Sequence, residues 1–170
     1  MNLRLAFVLP CLLAGASAAL AADYPPRKPG LWELKTTSVG DTNPSQTVQQ
    51  CIDARTDQAL RDLGQGASKM ACAKNDLRNE GGKLVLDSVC NLGPSTATTH
   101  AVMTGDLSSA YRMESTSTYK PPFMGKNEGK MTLDAKWIGP CKADQKPGDT
   151  VMPGGVKMNI LEVMGSLKKK

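Results

Sequence analysis

Polar and apolar residues alternate most cleanly late in the chain. Met131, Leu133, Ala135 and Trp137 interleave with Lys130, Thr132, Asp134 and Lys136. A period of two marks a strand buried on one face. The same rhythm runs through Leu31 to Val39, with Trp32, Leu34 and Thr36 on one side and Glu33, Lys35 and Thr37 on the other. Gly40 to Ser45 is a turn cluster, and Gln46 to Gln50 reads as a short second strand ending at Cys51. The period then changes. Ile52, Thr56, Ala59, Leu60 and Leu63 recur at helical spacing, behind Asp53 as N-cap and with Asp57 and Arg61 as an i,i+4 pair. Gly64 reads as the stop, which predicts a helix of about 10 residues.

Beyond Gly66 the pattern is β again. Met70 to Arg78 and Lys83 to Cys90 flank a turn at Asn79 to Gly82, and Ser95 to Thr104 and Tyr111 to Tyr119 flank Gly105 to Ser109. Pro121 and Pro122 are expected to break the run before the strand at Lys130 to Ile138. The fold expected is mainly β: about seven antiparallel strands in a curled sheet, a sandwich or a partly open barrel, with one short helix after Cys51. After Cys141, the breakers Pro147, Gly148, Pro153, Gly154 and Gly155 precede Val156 to Leu167, which reads as a short helix of marginal order.

The N-terminus does not belong to this pattern. Arg4, an apolar stretch from Leu5 to Ala19, and the small-x-small run Ala19-Leu20-Ala21 read as a secretory signal peptide. The stretch is shorter than the ~20 residues of a membrane span, so no transmembrane segment is expected. The chain therefore divides into a leader at 1–22, a disulfide-stapled β domain at 23–141 and a basic Gly/Pro-rich tail at 142–170. At 170 residues, 40% hydrophobic and 22% charged, it is one globular domain's worth of protein. The net charge of +5 includes Arg4 in the leader and Lys168, Lys169 and Lys170 at the end. The body is near neutral, which argues against a nucleic-acid partner.

Loss of Cys11 with the leader leaves Cys51, Cys72, Cys90 and Cys141. Four cysteines in an exported chain imply two disulfides with three possible pairings, and their wide spacing is unlike a zinc site. Hairpin geometry selects one pairing. Cys72 and Cys90 are equidistant from Gly81, so they face each other if the turn centres there. Cys51 is then left for Cys141. That register sets Leu84 and Leu86 opposite Arg78 and Asp76, against the apolar pattern.

Three elements together carry a resemblance: Pro29-Gly30-Leu31-Trp32-Glu33, Cys51 at the entrance to a helix, and Lys136-Trp137-Ile138-Gly139-Pro140-Cys141. In this order the chain resembles the family called domain of unknown function 3617, exported proteins of Gram-negative bacteria, over roughly residues 28 to 141. The resemblance implies a periplasmic address and supplies no catalytic residue.

The candidate chemistry is sparse. His100 is the only histidine and has no nucleophile motif beside it. Nine methionines raise the prospect of Cu(I), but Met103, Met113, Met124 and Met131 form no tight cluster and suit adaptable core filling. Glu114, Glu128 and Asp134 are isolated, and the Gly-rich turns lack a phosphate-loop ending. No cofactor, metal or catalytic residue is assigned. Trp32 and Trp137 are expected as core anchors or, alternatively, as the lining of an apolar pocket. The expected protein is a periplasmic monomer without enzymatic activity, a binding or envelope-maintenance module. Its partner would be an envelope component or a small apolar ligand or lipid carried within the sheet. A hydrolase is the third reading.

Overall fold

The computed structural model describes residues 23–40 and 45–167. The signal peptide read over 1–22, the centre of the turn cluster at 41–44 and the lysines at 168–170 lie outside the described residues. The elements are β1 (Gly30–Ser38), β2 (Ser45–Ile52), α1 (Ala54–Ala71), β3 (Cys72–Glu80), β4 (Lys83–Leu92), β5 (Ser95–Asp106), β6 (Ala110–Phe123), β7 (Lys126–Gly139), β8 (Asp149–Val151), β9 (Lys157–Asn159) and α2 (Ile160–Leu167). All strands join one antiparallel sheet in the order β3-β4-β5-β6-β7-β1-β2-β8-β9. The sheet is not closed into a barrel: β3 and β9 are its two edges.

The expected alternations are realised in one pairing. In the β1–β7 ladder Trp32 faces Trp137, Leu34 faces Ala135 and Thr36 faces Leu133. Directly opposed residues share a sheet face. Trp32, Ile52, Tyr111 and Ala135 form the buried cluster on that face, with Leu34, Leu60, Met103, Leu107, Leu133 and Trp137 packed around it.

Helix α1 crosses the same face. It begins as expected, with Asp53 accepting from the Thr56 amide at 2.8 Å while the Thr56 hydroxyl receives the Asp53 amide at 2.9 Å. It does not stop at Gly64. It runs 18 residues, to Ala71, and topology gives the reason. The helix carries the chain from β2 to β3, six positions apart in the sheet. At ~4.8 Å per strand that is about 29 Å across a flat sheet. Eighteen residues of helix span about 27 Å, whereas ten would span about 15 Å. Gly64 and Gly66 are tolerated inside the helix, each costing about 1 kcal/mol relative to alanine.

The β3–β4 register corrects the expected one. Gly81 and Gly82 both take positive φ and form a two-residue turn between Glu80 and Lys83. Leu77 therefore faces Leu86, Asn79 faces Leu84 and Asp76 faces Asp87. A register shift between Cys72 and Lys74 then restores Cys72 opposite Cys90. A β-bulge inserts one residue of this kind, which reconciles the apolar pattern with the cysteine pair.

The two prolines do not end β6. They lie within it, where the ladder to β7 skips from Thr118–Glu128 to Phe123–Lys126. Proline has no N–H to offer there. The segment after Cys141 extends the sheet. β8 pairs with β2, β9 pairs with β8, and the helix expected from Val156 starts only at Ile160.

Candidate functional site

Two disulfides tie the sheet, Cys51–Cys141 with Cα atoms 5.4 Å apart and Cys72–Cys90 with Cα atoms 3.8 Å apart. The first closes a cluster at the start of β1 that contains both tryptophans. Trp32 is fully buried, and its indole N–H donates to the Lys28 carbonyl at 2.8 Å. Trp137 is half-buried, donates to the Pro29 carbonyl at 3.0 Å and lies 3.6 Å beneath the Lys28 ammonium. The tryptophans are therefore unequal: Trp32 is a core anchor, and Trp137 is a shoulder covered by the lead-in segment. Gly30 makes this possible. It has φ +133°, and a Cβ there would sit 2.4 Å from the Trp137 indole nitrogen and 2.5 Å from the Gly139 carbonyl. The Pro-Gly-Leu-Trp and Trp-Ile-Gly-Pro-Cys elements, far apart in sequence, thus touch.

Asp57 sits beside this cluster. It is 1% exposed in the first turn of α1. It accepts from the Arg27 backbone amide at 3.0 Å, from the Arg27 guanidinium at 2.8 Å and from Arg61. Arg27 also reaches the Gln50 side chain at 3.1 Å and lies 5.9 Å from the Trp32 ring centroid. The sequence pattern contained Asp57 and Arg61 as an i,i+4 pair. Arg27, 30 residues away, carried no local signal, yet it converts the pair into a buried triad that fastens the lead-in to the helix.

A cleft of about 350 Å³ opens between α1 and the sheet next to this triad. Leu60, Leu86, Met103, Leu107 and Tyr111 line its floor and wall. Burial pushes the Tyr111 phenol above its ordinary value of 10.0, and Arg27 beside it works the other way. Tyr111 therefore stays protonated at neutral pH and presents a donor rather than an anion. Arg27, Asp57, Arg61, Gln65, Ser68 and Asn75 complete the lining, so the cleft joins an apolar floor to polar groups along α1 and β3.

The remaining candidates lie on the opposite face or apart from one another. His100 Nδ1 is 2.7 Å from Asp87 Oδ1, and Arg78 holds the other oxygen of Asp87 at 2.5 Å. The His100 hydrogen bond and then Arg78 hold the Asp87 carboxyl below the usual carboxylate range. His100 is 58% exposed and faces away from α1. Glu114 and Asp134 are both bridged by Arg112, at 3.3 and 3.0 Å, on that outer face, where strand alternation also places Glu128. Met103 and Met113 face each other on the α1 side, Met131 lies on that side further along, and Met124 stands out at a turn. Among the described residues no group of three His, Cys, Asp or Glu side chains is placed to hold a metal.

No curated protein and no solved structure matches the chain. A family model described as "Protein of unknown function (DUF3617)" matches residues 27–141. That span runs from Arg27 of the buried triad to Cys141 of the longer disulfide, and the chain belongs to this family.

Proposed function

We propose that this chain is an exported binding module of the cell envelope, without enzymatic activity, that carries a small apolar ligand in the cleft between α1 and the sheet. The cleft carries the reading: about 350 Å³, with Leu60, Leu86, Met103 and Leu107 as its apolar part and Tyr111, Arg27 and the polar residues of α1 around them. That size and composition suit a lipid-like or aromatic molecule of modest length. The address rests on other observations. The Arg4 to Ala21 pattern has the form of a cleavable leader. Two disulfides suit an oxidising compartment such as the periplasm. His100 is hydrogen-bonded to Asp87, and Glu114, Glu128 and Asp134 are spread over the outer face, which favours binding over hydrolysis.

Native mass spectrometry of the protein purified from periplasm is the test. The expected result is a retained small mass that organic extraction removes. Replacing Leu86 with Trp should fill the cleft and abolish the adduct while the protein remains folded. A protein that arrives without an adduct, and that binds no apolar fluorophore such as N-phenyl-1-naphthylamine, is not a carrier.

A further inference from the structure

Helix α1 covers only part of its sheet face. Further along β6, β7 and β1 the same face is only partly covered, and its side chains change in kind. By strand alternation Thr99 of β5, Ser115, Ser117 and Tyr119 of β6, and Thr36 and Ser38 of β1 all point to the α1 side. A second cleft of about 550 Å³ lies there, lined by Ser38, Ser115, Ser117, Tyr119, Phe123 and Met131 among others.

Openness to water does not explain this lining. The outer face of the same strands also meets water, and there alternation places Glu33, Lys35, Glu114, Lys120, Glu128 and Lys130. On the α1 side of these stretches alternation places hydroxyls and no charged side chain, and Lys126 and Lys130 reach the cleft from its margin. Lys126, at the β6–β7 turn, directs its ammonium to the Gly40 carbonyl at 3.0 Å.

The cleft also has a built aromatic wall. Tyr119 and Phe123 lie with ring centroids 5.7 Å apart. Tyr119 is seated over Gly129, where a Cβ would come within 2.8 Å of its hydroxyl. Thr99 and Ser117 share a 2.7 Å hydrogen bond, and Ser115 donates to the Met131 carbonyl at 3.4 Å. Each hydroxyl has one donor and two lone pairs, so these contacts leave acceptor capacity unused. Neutral donors and acceptors beside an aromatic face match a neutral polyhydroxyl ring.

We infer that this partly covered half of the α1 face is a second subsite, which takes a neutral polyhydroxyl group such as a sugar ring. The inference rests on the carrier reading in one respect: Tyr111 of the first cleft and Tyr119 of the second share strand β6. The near walls are closer, since Leu86 and Ser115 lie at one level of the sheet on either side of Ala101, about 10 Å apart. One molecule with an apolar tail and a sugar head could therefore occupy both clefts.

Amide chemical shifts of the full labelled chain, titrated with octyl glucoside below its micelle concentration, 1-octanol and free glucose, test this. Octyl glucoside should move the amides of residues 115–119 and 129–131 and bind at least tenfold more tightly than octanol. Glucose should move only that set, more weakly. Gly129→Ala, which displaces the Tyr119 ring, and Ser117→Val should each lower glycoside affinity to the octanol level and leave octanol binding unchanged. If octanol binds as tightly as the glycoside, or residues 115–119 stay unmoved, the sugar subsite is wrong and the carrier reading stands. If glucose moves them but octanol does not bind, the apolar cleft is wrong and the sugar subsite stands. If no probe binds, both are wrong.

Discussion

Under α1 the sheet face carries Trp32, Ile52, Tyr111 and Ala135, all buried. Beyond the helix, β1 and β6 continue with Ser38, Ser115, Ser117 and Tyr119, all only partly covered. The covered region is also the tethered one, with the Asp57 triad and the Cys51–Cys141 bridge at its border. The difference separates two jobs within one sheet. Apolar burial and cross-links concentrate where the helix lies, so stability resides there. The hydroxyl region contributes little burial and is free to be shaped by a ligand. Substitutions should therefore divide sharply by region.

The sharpest break in that contrast should come from the longer disulfide. Cys51–Cys141 spans a sequence separation of 90 and Cys72–Cys90 one of 18. In the chain-entropy view their removal costs about 4–5 and about 3 kcal/mol. Paired serine replacements followed by denaturant melts should show that order; the reverse order would put the anchoring weight on the β3–β4 hairpin. Next comes Trp32→Ala, expected to cost about 3–5 kcal/mol as a fully buried aromatic. Trp137→Ala should cost distinctly less, because its ring is half-exposed under Lys28. Equal losses would mean that the two tryptophans share one core.

Asp57→Ala should be of similar size to Trp32→Ala or somewhat smaller. It strands Arg27 and Arg61, whose side chains are 11% and 15% exposed. Breaking a buried pair from one side costs about 3–5 kcal/mol. A loss below 1 kcal/mol would show that water reaches the triad and that the lead-in is only loosely attached.

The smallest effect belongs to Asp53. Hydrogen bonds from the Thr56 amide and hydroxyl hold its carboxyl below the ordinary 3.8. The folded value is depressed, so its contribution is complete above 3.8 and fades as pH falls through the lower folded value. Asp53→Ala should cost about 1 kcal/mol at neutral pH. The gap between variant and parent should close on acidification below pH 3.8. A gap independent of pH would mean that the cap acts through something other than its charge.

What the sequence made legible follows how local each cause is. The alternation in β7 and β1 is local, and those strands appear with the expected faces. The Asp53 cap and the Asp57–Arg61 spacing are local, and both are present. The length of α1 was not legible, because the distance it bridges is set by the strand order rather than by its own residues. Arg27 was missed for the same reason. The hydroxyl cleft was hidden differently. Ser115, Ser117 and Tyr119 read singly as polar strand residues, and only the register of β5, β6 and β1 shows that they converge. The β3–β4 register sat between these cases. The Leu84 and Leu86 pattern already conflicted with a turn centred on Gly81, and a bulge next to Cys72 resolves the conflict.

The length of α1 also bears on how the cysteines find their partners. Along the chain, Cys51 meets Cys72 before it can meet Cys141. Mispairing between those neighbours is the first oxidative error open to the chain. Once α1 has formed, it lies between them as a rod of about 27 Å. Bridged cysteines need Cα atoms within about 7 Å. Cys72 is then left to Cys90 across a short hairpin, and Cys51 has its partner beside it only where β7 is docked on β1. The helix that spans the sheet thus also holds the two neighbouring cysteines too far apart to bridge each other.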